Sequence, residues 1–247
     1  MSLYQTIFKK NSKQIIVLID PEKMPLHTIK PLTSKINQAP ISAIFIGGSY
    51  NHNTINLDEL ILEFKKHTPL PIILFPGNYS QISHLADGLL YLNLISGNNP
   101  EYLINQHVKS APNLRNSPLE IISTSYLLID GGKKSSIQKI SKTTPLNKHE
   151  IQKICDTAFA GQLIGHKLTY LEAGSGAIDP VPTTIIKAIT NQTTNPIIVG
   201  GGLKNHRDIE TAFKAGADLV VIGTAFEKQP NFFNNFKNAR IPLCSIP

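Results

Sequence analysis

Eight short apolar runs, each closed by a polar or glycine-rich turn, set the pattern of this chain. The first, Ile15-Ile16-Val17-Leu18-Ile19, is continuous, rich in β-branched residues, and stops at Asp20-Pro21. Runs of this kind read as strands buried on both faces, as in a parallel sheet. Others follow at Ala43–Ile46, 71–75 and 88–94. A fifth strand lies between 117 and 130, centred on either 119–122 or 126–129. One long bent strand, or two short ones, ahead of Gly131-Gly132 fits that stretch. Runs at 167–172, 196–199 and 217–222 complete the set.

Helical patterns fill most of the gaps. One spans 26–38. Another spans 57–66, with Asn56 as its cap and Asp58 and Glu59 in its first turn. Asn99-Pro100 is a helix start. Asn147 with Glu150 resembles a capping box for a helix ending near 163. Further helices are expected at 183–190, from Asn205 to a stop at Gly216, and in a last segment to about 238. Only a dozen or so residues separate the third and fourth strands, so the third helix is expected to be stunted or irregular. Strands alternating with helices give an α/β fold with a parallel sheet. At 247 residues the expectation is one (β/α)8 TIM barrel over 1–247, with a modified third helix. An open doubly wound sheet lacks support, because no Gly-x-Gly-x-x-Gly follows the first strand.

Composition narrows the function classes. Hydrophobic residues make up 41% and charged residues 17%, as in an ordinary globular protein. No run reaches membrane-spanning length, and the N-terminus lacks the charged-then-apolar order of a signal peptide, so a cytoplasmic protein is expected. The net charge of +7 comes almost wholly from dispersed lysines. Arg115, Arg207 and Arg240 are the only arginines, which argues against a nucleic-acid binder. Contact with an anionic membrane or a polyanionic substrate stays open. Cys155, inside a helical pattern, reads as a buried apolar residue, and no His/Cys cluster of metal spacing accompanies it or Cys244. His84 and His166 likewise read as ordinary polar residues.

The chemistry concentrates at three late strand ends. Glu172 closes the sixth apolar run beside Gly174-Ser175-Gly176. Gly201 and Gly202 follow the seventh, and Gly223 and Thr224 the eighth. Barrels commonly hold a phosphate between the last two of these loops. Glycine lets several backbone N–H groups approach one anion. Ser175 and Gly176 would close a third side. Glu172 is placed to accept a proton from a nearby hydroxyl, and Tyr170 to orient its carrier.

Tyr170-Leu171-Glu172-Ala173-Gly174-Ser175-Gly176-Ala177, Val199-Gly200-Gly201-Gly202-Leu203 and Ile222-Gly223-Thr224 resemble the geranylgeranylglyceryl phosphate synthases and their heptaprenyl relatives. Ile19-Asp20-Pro21-Glu22-Lys23 also fits, with Glu22 where an aspartate is common. So do Phe75-Pro76-Gly77, the segment at 96–102, and Gly47-Gly48-Ser49, the form of the family's second branch. The resemblance covers nearly the whole chain. It implies Mg2+-dependent prenyl transfer, in lipid and phospholipid biosynthesis, to the C3 hydroxyl of sn-glycerol 1-phosphate. The donor would be a prenyl diphosphate, geranylgeranyl being the expected length. It further implies metal positions at Asp20 and Ser49, and a homo-oligomer, dimer or hexamer. Glu172 and Tyr170 become the catalytic pair. Residues 170–176 with Gly201, Gly202, Gly223 and Thr224 become the glycerol phosphate site. Lys23 is open between a counter-charge for diphosphate and a solvated lysine. Tyr91, Ile95, Tyr102 and Tyr126 are open between an apolar tail groove and plain core. Two rivals remain: a sugar-phosphate isomerase or lyase on the same barrel, and a phosphometabolite-binding protein without chemistry.

Overall fold

The computed structural model describes residues 2–48, 56–223, 225 and 232. Eight parallel strands close in sequence order: β1 (Gln14–Ile19), β2 (Ala43–Ile46), β3 (Ile72–Leu74), β4 (Gly88–Asn93), β5 (Glu120–Leu128), β6 (Leu168–Glu172), β7 (Ile197–Gly200) and β8 (Leu219–Ile222). β8 pairs back onto β1, with Gln14 opposite Leu219. The uncertain fifth strand is one nine-residue strand.

Because side chains alternate along a strand, the two buried faces form two separate cores. Ile15, Val17, Ile44, Leu127, Leu171 and Val199 face outward into the helix layer. Ile16, Phe45, Ile73, Tyr126, Tyr170 and Ile198 fill the barrel interior. Within it, aromatic rings make a continuous column. Phe8 stacks on Phe45 at 6.4 Å and Phe45 on Phe75 at 6.0 Å. Phe75 meets Tyr170 at 5.3 Å, and Tyr170 meets Tyr126 at 5.2 Å. The column plugs the barrel and leaves the two phenols uppermost.

The helices are α1 (Leu3–Thr6), α2 (Ile29–Ile36), α3 (Leu57–His67), α4 (Gln106–Leu114), α5 (Ser136–Ser141), α6 (Ile151–Leu163), α7 (Thr183–Gln192) and α8 (His206–Ala215). Among them, α1 and α5 have no counterpart in the sequence expectation. α1 sits under the barrel, where its Leu3 and Tyr4 amides donate to the Glu120 carboxylate. The segment expected as a helix from 26 opens with a 3-10 turn, Leu26–Thr28. Asn56 and Asn205 cap α3 and α8 as expected, and Gly216 ends α8 at φ 110°. Asn147 does not cap α6. Its side chain accepts from the His149 amide, and the helix starts after Glu150 with no side-chain cap. Cys155 is buried on α6 and its thiol is pushed upward by burial, so it is apolar filling. Residues 75–87 contain no helix. The final helix expected to about 238, Cys244, Ser49 and Thr224 lie outside the described residues.

The missing helix has a direct consequence. The outward residues Leu89 and Tyr91 of β4 line an apolar groove. Its other wall is a π-helical turn, Glu101–Asn105, running into α4.

Candidate active site

A cavity of about 380 Å3 opens at the C-terminal ends of the strands. Parity explains its lining. Leu168, Tyr170 and Glu172 share the inward face of β6, so Glu172 stands directly above the aromatic column. Asp20 continues the inward face of β1 after Ile16 and Leu18. Asp20, Lys23, Tyr170, Glu172, Ser175 and Gly176 all line the cavity, as do Gly201, Gly202 and Gly223. Leu171 and Ala173 do not reach it. They lie on the outward face of β6, packed in the helix-side core. Gly174 is also absent from the lining, and its amide is spent on Glu172 Oε1 at 2.6 Å. Ser49 and Thr224 belong to the undescribed residues.

Glu172 is nearly sealed, at 7% exposure. Burial disfavours its charge and pushes its pKa from 4.5 to about 7. The Gly174 amide, and then the Tyr126 and Tyr170 phenols, pull the other way. Both phenols are themselves driven well above their ordinary value, by burial first and then by the Glu172 charge. They stay protonated and point at the same carboxyl. Even so, the Tyr170 hydroxyl is buried and completes no hydrogen bond of ordinary geometry. It rests against the bare Cα of Gly200, where a Cβ would stand 2.2 Å from its oxygen.

The glycine turns are required rather than incidental. Gly201 holds φ +79°, and a Cβ there would meet Glu172 Oε1 at 2.5 Å. Gly202 holds φ +71°. These positions bring bare backbone to the cavity floor beside a carboxyl. Ser175 and Gly176 are exposed.

Asp20 lies across the mouth. Its carboxylate caps the 3-10 turn Pro21–Lys23 through the Glu22 amide at 3.2 Å, and pairs with Lys23 Nζ at 2.8 Å. Lys23 is therefore tied to Asp20, although more than half exposed. Gly48 faces this carboxylate, and a Cβ there would stand 3.1 Å from Oδ1. Among the described residues no group of three His, Cys, Asp or Glu side chains could hold a metal by itself.

The cavity and the apolar groove meet. Gly48, Phe75, Tyr126 and Ile137 line both. Tyr91 and Tyr102 line the groove, whereas Ile95 packs against the helix-side core. Tyr126 is the residue that the sequence undervalued. It sits at the junction, aimed at Glu172. Ser136, Ile137 and Lys204 also line the cavity without having been anticipated. His84 bonds the Asn113 carbonyl and His166 bonds Ser125, both away from the mouth.

The PcrB family profile matches residues 6–240. The chain belongs to the PcrB family. It is 47% identical over 228 residues to the geranylgeranylglyceryl phosphate synthase of Flavobacterium johnsoniae, covering 92% of this chain and 93% of the relative. The synthase of the same name from Korarchaeum cryptofilum is 33% identical, over 92% of this chain and 93% of the relative. The crystal structure of (S)-3-O-geranylgeranylglyceryl phosphate synthase from Thermoplasma acidophilum, in complex with sn-glycerol-1-phosphate, superposes with a TM-score of 0.89 at 29% identity, over 95% of each chain. A tryptophan synthase α-subunit from Pyrococcus furiosus, at 16% identity and a TM-score of 0.54, shares the fold alone.

Proposed function

We propose that this protein joins a prenyl diphosphate to the C3 hydroxyl of sn-glycerol 1-phosphate, releasing diphosphate and forming an ether. The observation that carries the reading is the position of Glu172. A buried carboxyl with a pKa of about 7 stands where a polar, glycine-floored cavity meets an apolar groove. An alcohol acceptor on one side and a prenyl donor on the other need a proton acceptor at that point. The family's synthases act under the same name, and their structural neighbour holds the same acceptor.

In this reading the phosphate lies against Ser175, Gly176, Gly201, Gly202, Gly223 and Thr224, held by backbone amides rather than guanidinium forks. Tyr170 offers its hydroxyl to the glycerol. The prenyl tail runs past Tyr126 into the groove between β4 and the π-helical turn. The bond from prenyl C1 to the diphosphate oxygen breaks, and a bond from C1 to the glycerol oxygen forms. Glu172 takes the hydroxyl proton. Because its pKa lies near neutrality, it is ionised in a useful fraction of molecules and basic enough to hold the proton it takes.

Asp20 and Ser49 are the residues that would hold Mg2+. The site fits: one hard carboxylate opposite a glycine leaves room for an ion that usually takes few protein ligands and completes its shell with phosphate oxygens and water. When bound, Mg2+ would neutralise the charge of the leaving diphosphate. Lys23, paired with Asp20, adds positive charge to the same corner.

We further read residues 1–247 as one barrel domain, acting in the cytoplasm in phospholipid biosynthesis as a homo-oligomer, with a geranylgeranyl donor. Among the described residues no helix is long and apolar enough to cross a membrane. The test is direct. The protein is incubated with radiolabelled sn-glycerol 1-phosphate, Mg2+ and prenyl diphosphates of several lengths. One preferred donor giving a labelled ether is expected. No ether with any donor sinks the proposal.

A further inference from the structure

The groove wall is fastened in an unusual way. β4 outruns β3, which pairs only Ile73 and Leu74 with Gly88 and Leu89. Beyond that point β4 is stitched to the π-helical turn. The Leu94 amide donates to the Tyr102 carbonyl at 3.3 Å, and Asn93 Nδ2 to the Leu103 carbonyl at 3.0 Å. The third tie is His107, in the first turn of α4. Its Nδ1 lies 3.1 Å from the Leu103 carbonyl oxygen and its Nε2 lies 3.0 Å from that of Leu92.

Carbonyl oxygens only accept. A neutral imidazole carries one N–H, so it serves one carbonyl and turns a lone pair on the other. Only the imidazolium, with two N–H groups, satisfies both. We propose that His107 is an imidazolium clamp, which ties the groove wall to β4 and so positions that wall for the prenyl tail. It is a positioning residue for the donor and touches no reacting atom. The proposal rests on the reading of the groove as the tail site.

The neighbouring groups suit this. The Tyr91 ring of β4 lies 4.5 Å from the imidazole, at 66° in an edge arrangement. The Tyr91 hydroxyl donates to the His107 carbonyl at 3.0 Å. On the wall itself stand Tyr102, Glu101 and Lys109, and Glu101 is engaged by Lys109, Gln106 and Asn105. His166, ahead of β6, is the remaining titratable neighbour. Its imidazole is held below the usual value by burial and then by the charge of His107. It shares a 2.7 Å hydrogen bond with the Ser125 hydroxyl, which a neutral ring can accept.

Long-range 1H–15N correlation spectra of the full chain labelled at histidine read the ring directly, with no substrate present. In neutral buffer both His107 nitrogens are expected to carry protons. A ring with one bare nitrogen at that pH overturns the clamp. Equilibrium binding of geranylgeranyl diphosphate gives the second readout. His107→Gln keeps one donating nitrogen in place of two, and is expected to bind the donor about tenfold more weakly in neutral buffer, with sn-glycerol 1-phosphate unaffected. Comparing wild type with variant cancels the titration of the diphosphate itself. Equal donor affinity for the two in neutral buffer overturns the positioning role. Leu89→Trp, which fills the groove, checks the underlying reading separately. If it leaves donor affinity intact, the tail lies elsewhere and the positioning role falls with it, whereas the spectra still decide the charge on the ring.

Discussion

Replacing Glu172 by Gln tests the electrostatics of the site through stability as well as activity. Gln keeps the shape and an oxygen for the Gly174 amide, but cannot ionise. In the folded wild type the carboxyl holds its proton up to about pH 7, against 4.5 for the ordinary group. Between those values the unfolded chain has released a proton that the folded chain retains. Wild-type stability therefore falls as pH climbs from 4.5 through about 7, and levels off above. At about 1.4 kcal/mol per pH unit, the ionised carboxylate costs the folded state about 3 kcal/mol in mildly alkaline solution. Glu172→Gln is free of that loss. Urea unfolding of both proteins at several pH values reads the difference. The variant should gain about 3 kcal/mol on the wild type between about pH 4.5 and about pH 8. Ether formation should fall in the variant by about 100-fold or more, the usual worth of a positioned base. In the wild type it should rise with pH through about 7. Parallel stability curves for the two proteins would refute the reasoning, because they would mean that burial does not hold the proton on Glu172.

Tyr170→Phe removes a buried hydroxyl that completes no hydrogen bond of ordinary geometry, so unfolding free energy should stay within about 1 kcal/mol while the KM for glycerol phosphate rises; a large loss of stability in urea titration would contradict this. Gly201→Ala places a methyl 2.5 Å from Glu172 Oε1 at φ +79°, and calorimetric titration should show acceptor binding weakened. The same substitution should cost about 1–3 kcal/mol of stability. EDTA should abolish ether formation while leaving sn-glycerol 1-phosphate binding unchanged by titration, and Asp20→Asn should raise the Mg2+ concentration needed for half-maximal rate; full turnover in EDTA would remove Asp20 from the metal role.

The barrel was legible because its strands are apolar on both faces, and that same property hid which residues face the site. In β6 nothing in the polarity of Leu168-Thr169-Tyr170-Leu171 separates inward from outward. Residues 170–176 could therefore only be taken as a block, and the pleat divides that block. Tyr170 and Glu172 enter the cavity, whereas Leu171 and Ala173 pack against helices. Asp20 and Glu172 were visible for the opposite reason, since a charge closing an apolar run must meet the mouth that the run leads to. Tyr126 was obscured by its strand. Ser123, Thr124 and Ser125 interrupt the apolar pattern of β5, so its limits, and with them the inward parity of Tyr126, could not be set. α1 and α5 are too short to show a helical period. The groove was foreshadowed only by what the sequence lacks, a helix between the third and fourth strands. With that helix left out, the outward face of β4 is covered by α4, which is entered through a π-helical turn. A π-helical turn bares carbonyls that a regular helix would keep for itself. Those carbonyls are what Leu94, Asn93 and His107 take up. The short gap after β3, the apolar groove and the charge assigned to His107 are thus successive results of one omission, the third helix of the barrel.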